Sequence, residues 1–100
     1  MEHIYNVYGW DMENGYCFEN ANFSSKKTAL DSLAYIREHW MKKILWNKIK
    51  EDECRDIDVF NLGTTDDLKK NSGSFSVLLD ERFKLTITKH PIYKSVTKYI

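Results

Sequence analysis

The chain has little of what usually declares a function. Two cysteines in 100 residues, Cys17 and Cys54, make no disulfide framework. In a reducing compartment both are expected as thiols, Cys17 packed as a small hydrophobe. Gly63 and Gly73 stand alone, so no phosphate-cradling loop is visible. His3, His39 and His90 are isolated, without a second His or Cys at the spacing zinc requires. No apolar run approaches the roughly 18 residues that span a bilayer. Met1-Glu2-His3-Ile4-Tyr5 has neither the basic start nor the apolar stretch of a secretory leader, and a cytoplasmic protein is expected. Repeats, low-complexity stretches and linkers are all missing, so residues 1–100 are expected to form one domain. Net charge is also missing, with 15 basic groups against 15 acidic ones.

What is present is a long helical pattern from Ser25 to Lys50. Ala29, Leu30, Leu33, Ile36, Trp40, Met41, Ile44 and Leu45 recur at steps of three and four residues, which predicts one continuous apolar stripe. Tyr35, His39 and Trp46 fall on the other side, where a solvated helix carries charge. That second stripe needs a cover, from the domain itself, a second copy or another molecule. Ser24 or Ser25 can cap the first turn, and Lys48 and Lys50 suit the last. Arg37 falls inside the apolar stripe, where an unpaired guanidinium would cost several kcal/mol. It is expected to lie over Trp40 and pair with Glu19 or Asp58.

Around that helix the pattern is β. Asn14-Gly15 predicts a two-residue hairpin turn. That register sets Trp10 opposite Glu19 and Tyr8 opposite Ala21, with Tyr8, Trp10, Met12, Cys17 and Ala21 on the core face and Tyr5, Val7, Tyr16 and Phe18 on the other. Asp56 to Leu62 reads as a strand, Thr64 to Lys70 as one or two helical turns, and 75–79 and 83–88 as strands joined around Asp80-Glu81-Arg82. Pro91 ends the last strand, and the tail after it fits helix by spacing and strand by composition. The expected fold is α+β, in the order β-β-α-β-(short α)-β-β: a small, mostly antiparallel sheet with the long amphipathic helix packed across one face.

Charge is segregated along the chain. Residues 1–23 carry no Lys or Arg, residues 24–50 hold seven basic groups against two acids, and residues 51–67 hold seven acids against Arg55. Folding either cancels these blocks or sorts them into faces. Asp56 and Asp58 share a strand face and offer two ligands for Mg²⁺, with no third in view. Cys54 sits in an acidic run that disfavours its thiolate. No catalytic constellation emerges, and neither enzymatic activity nor a cofactor is expected.

Two readings remain, with a small metal-dependent nuclease a distant third. The first is a non-enzymatic protein-binding module. Its docking residues would be Tyr35, His39, Lys42, Lys43 and Trp46, because Tyr and Trp bury much area with few rotors. Asp11, Glu13, Glu51, Asp52, Glu53, Asp56 and Asp58 would form an acidic patch able to compete for a basic nucleic-acid channel. Pairing of two copies through the helix satisfies the same pattern. Lys outnumbers Arg twelve to three, a bias that fits an AT-rich genome. In size and character the chain resembles the short inhibitors encoded by phages and mobile elements, anti-CRISPR and other anti-defence proteins among them. The resemblance covers no motif and assigns no residue. The alternative is a nucleic-acid-binding domain in which Lys26, Lys27, Lys42, Lys43, Lys48, Lys50, Lys89, Lys94 and Lys98 track phosphates. Scarce arginine and the lack of any RRM, KH or helix-turn-helix pattern stand against it.

Overall fold

Asp11 decides how the chain first turns back on itself. In the computed structural model, which describes residues 3–50, 57–70 and 73–91, its carboxylate accepts the amide N–H groups of Glu13 and Asn14, each at 3.0 Å, and the Asn14 side-chain amide at 3.1 Å. An aspartate that binds the amides just after it builds an Asx-type turn. Here it widens the expected two-residue connection into a loop over residues 12–15. Gly15 closes the loop at φ 71° and donates its N–H to the Asp11 carbonyl at 2.8 Å.

Strand β1 (His3–Asp11) therefore pairs with β2 (Tyr16–Phe23) in a different register from the expected one. Asp11 lies opposite Tyr16 and Trp10 opposite Cys17; beyond a bulge after Gly9, Tyr8 meets Asn20 and Val7 meets Ala21. Because side chains alternate along a strand, such a slip exchanges the faces. Val7, Gly9 and Asp11 turn inward and Phe18 packs against the core, while Trp10, Met12 and Cys17 are exposed. The Cys17 thiol donates to the Glu19 carbonyl at 3.0 Å, so it is not the packed small hydrophobe that alternation predicts.

The last strand, β5 (Phe83–Pro91), runs antiparallel along β1, with Ile87 opposite Val7 and Leu85 opposite Gly9. β4 (Ser74–Leu79) and β3 (Val59–Leu62) extend the sheet, which has the order β2-β1-β5-β4-β3 with every pairing antiparallel. The turn between β4 and β5 holds Asp80 and Glu81 at φ 53° and 58°, the positive values a type I′ turn imposes, with no glycine present. A 3-10 turn over Thr65–Lys69 packs Leu68 on β4, with Asp67 accepting the Thr64 N–H at 2.9 Å.

Helix α1 (Lys26–Lys50) starts where Ser25 Oγ accepts the Thr28 N–H at 3.4 Å. Its 25 residues span about 38 Å. It crosses β1, β5 and β2 with Ala29, Leu33, Ile36 and Ile44 buried, and Leu30, Trp40 and Met41 partly buried. Trp40 rests on Phe18 and Phe83, ring centroids 4.3 and 4.9 Å away. Two expectations are corrected here. Leu45 is exposed, and the end of the buried stripe is taken by Lys48, whose Nζ lies 3.3 Å from Asp80 Oδ2. The cation over Trp40 is Lys43, 4.6 Å from the ring centroid, and not Arg37. No helix among the described residues is long and apolar enough to cross a membrane.

On the sheet face away from α1, Ser76 and Thr86 lie opposite each other, buried, with their hydroxyls 2.8 Å apart. Ser76→Ala leaves the Thr86 hydroxyl without that partner and is expected to cost about 1–2 kcal/mol. Adding Thr86→Val removes the orphan and recovers most of the loss. Thermal unfolding of both variants checks this; a double variant no better than Ser76→Ala would refute the pairing account.

Candidate functional site

α1 gives one flank to the sheet and keeps apolar groups on the other. Tyr35, His39, Lys42, Trp46 and Ile49 recur at alternating steps of four and three, which places them in one line along the helix. Tyr35 is 74% exposed and Trp46 64%, and Leu45 and Ile49 beside them are also open. Large apolar groups on the outer flank run against the ordinary partition of a surface helix, polar outside and apolar within.

The flank is not flat. His39, Lys42, Lys43, Trp46 and Asn47 line a shallow groove of about 410 Å³, and Tyr35, Glu38, His39 and Lys42 line a smaller hollow of about 90 Å³ beside it. The five docking candidates Tyr35, His39, Lys42, Lys43 and Trp46 thus come together on one surface. Lys42 reaches Glu38 at 3.7 Å, but both side chains are exposed and such a pair contributes about 0.5 kcal/mol at most. Its charge remains available to a ligand. Lys43 Nζ, above the outer side of Trp40, is held beside the groove.

Of the described members of the expected acidic patch, Asp11 does not lie on the surface: it is 0% exposed. Besides its loop amides, its carboxylate takes Arg82 Nε at 3.3 Å and Nη2 at 3.1 Å. These bonds, with Arg82 the largest influence, hold the Asp11 pKa down to about 2 and raise that of Arg82. Arg82 also pairs with Glu13 at 3.3 Å. Asp58 precedes β3 at the same end of the sheet, its carbonyl accepting the Asp80 N–H at 2.7 Å. Arg82 and Lys48 therefore sit among Asp11, Glu13 and Asp80 and neutralise part of the negative charge at this end of the sheet. Glu51, Asp52, Glu53 and Asp56 lie outside the described residues, as do Cys54 and Arg55.

Of the lysines expected to track phosphates, Lys48 is buried against Asp80, Lys27 stays exposed in a surface pair with Asp31 at 3.0 Å, and Lys89 reaches back toward the Lys69 carbonyl. Lys94 and Lys98 lie outside the described residues. Among the described residues no group of three or more His, Cys, Asp or Glu side chains is placed to hold a metal ion.

A second apolar surface escaped the sequence pattern. Cys17, Trp10, Lys84, Leu78 and Phe60 form one cross-strand row on the sheet face away from α1. Phe60 there is 61% exposed, and Trp10 and Leu62 are open as well. The signal that could have exposed this row was Asp11, three residues before Asn14 and so able to widen the turn. No protein-family model, curated protein or solved structure matches this chain.

Proposed function

We propose that this domain is a non-enzymatic protein-binding module that docks through the outer flank of α1, working in the cytoplasm. The single observation that carries the reading is the pair of open rings, Tyr35 and Trp46, set on a rigid helix that the sheet holds from behind. Burying two such side chains against a partner is worth several kcal/mol, because each brings large area and few rotors. A domain that occupies a partner's surface in this way blocks it sterically, which is how a small inhibitor acts. Charge mimicry by the acidic set draws less support, since Asp11 is interior and Arg82 stands beside Glu13.

Tyr35→Ala combined with Trp46→Ala is expected to leave folding within about 0.5 kcal/mol, since both side chains are solvent-facing. The same variant is expected to lose, by roughly a hundredfold in affinity, whatever protein the wild type captures from lysate. Paired capture experiments with unfolding controls check both halves. Identical captured proteins from wild type and double variant would defeat the reading.

A further inference from the structure

Resting on that docking reading, we infer that the partner element is an acidic amphipathic helix. Two observations define it. The first is spacing: Tyr35, His39, Lys42, Trp46 and Ile49 alternate by four and three residues, the repeat that a second helix laid alongside reads as its seam. The second is charge. Among the described residues the groove around Trp46 is lined by His39, Lys42, Lys43 and Asn47 with no carboxylate, Glu38 reaches Lys42 from the neighbouring hollow, and the exposed Lys50 follows one turn beyond. Apolar side chains of the incoming helix would rest on Trp46, Leu45 and Ile49, while its carboxylates would meet the two ammonium groups. A single-stranded nucleic acid would find the lysines and Trp46 but leave Leu45 and Ile49 uncovered. A second copy of this chain pairing in register is disfavoured, because it sets Lys42 against Lys42 in the seam. Two like charges brought together there repel each other, and more strongly as the interface loses water.

The test uses the intact protein and three labelled probes: a three-heptad peptide with Leu at the seam and Glu on its flanks, the same peptide with Lys for Glu, and oligo-dT. Fluorescence anisotropy is expected to show binding of the acidic peptide only, weakening as salt rises. Trp46→Ala should weaken it about tenfold or more. Lys42→Glu with Lys43→Glu should exchange the preference, releasing the acidic peptide and capturing the basic one. Circular dichroism confirms that each variant is folded, and Lys42→Glu alone provides the readout if the double variant is not. Equal binding of both peptides, preferential binding of oligo-dT, or a dimer in sedimentation that Trp46→Ala dissolves would each overturn the inference. The docking reading fails separately. If capture from lysate needs Tyr35 and Trp46 but no peptide binds, only the chemistry assigned to the partner is wrong; if capture ignores both residues, the surface itself is.

Discussion

Asp11→Asn is expected to produce the largest loss of stability among single polar substitutions in this domain, and to flatten its response to acid. The carboxylate accepts five hydrogen bonds, from the Glu13 and Asn14 amides, the Asn14 side chain, and two nitrogens of Arg82. An asparagine keeps one acceptor oxygen but turns an N–H₂ toward donors, so either the loop or Arg82 loses its partner inside a buried site. The sign of the pH effect follows from the pKa. Folding lowers it from 3.8 to about 2, chiefly through the Arg82 hydrogen bonds. The charged form is therefore favoured in the native state. Its contribution is fully present above pH 3.8 and drains away as pH falls from there through about 2. Urea unfolding of wild type and Asp11→Asn between these limits should show the wild type losing stability and the variant, already weaker, losing less. Parallel acid limbs would mean that other carboxylates govern acid unfolding. Arg82→Met is a complementary probe. It should move the Asp11 carboxyl resonance to titrate at higher pH, and an unchanged titration would show that the loop amides alone set its acidity.

Gly9→Ala is expected to cost about 3 kcal/mol, the upper end of what an added methyl does in a packed core. A Cβ at Gly9 would come within 2.5 Å of Phe18 Cε2 and 2.6 Å of Cζ, and 3.1 Å from Leu85 Cδ2. A lone ring could swing away from such a contact. Phe18 has little room to do so, because its ring lies against Trp40 at 4.3 Å and edge-on to Phe83 at 5.7 Å. Relieving the overlap means shifting either the aromatic cluster that seats α1 or the β1–β2 bulge. The expected drop in midpoint is roughly 12–24 °C for a domain of this size. Phe18→Leu in the Gly9→Ala background should return part of the loss by opening space, although Phe18→Leu alone destabilises. Thermal scans of the three variants decide the matter; purely additive losses would show that the ring and the glycine are not in conflict.

Asp11 and Gly9 also explain why the β1–β2 register departs from what local turn chemistry predicts. The Asn14-Gly15 pair is a strong local turn signal, but it states only that positive φ is cheap nearby. The Asp11 carboxylate acts across three residues and widens the loop, and Gly9 makes room for Phe18 from the neighbouring strand. Neither effect is periodic, so an alternation pattern cannot register them. The resulting slip moved Val7 inward and Trp10 outward, and with Trp10 it hid the row that includes Phe60 on the far face. In contrast, β4, β5 and α1 were legible because their patterns repeat. Phe83, Leu85 and Ile87 alternate, and Ala29, Leu33, Ile36, Trp40 and Ile44 keep helical spacing over about four turns, so a single competing contact could not displace them. Leu45 marks where that repeat stops being sufficient, since the buried line continues by steps of four through Ile44 to Lys48 and leaves Leu45 to solvent. The candidate docking flank was visible for the same reason as the core flank. Tyr35, His39, Lys42 and Trp46 share a helical face whatever the helix packs against.

By itself, the sequence determined the element types and their order, the long helix with apolar groups on both flanks, and the α+β class, because each follows from periodicity within one segment. Only the tertiary structure decided which face of β1 is interior, that Asp11 is a buried loop clamp rather than surface charge, that Lys48 closes against Asp80, and that Trp46 lies open. Those outcomes depend on contacts between segments distant in the chain, whose energies depend on three-dimensional proximity and leave no local pattern to read.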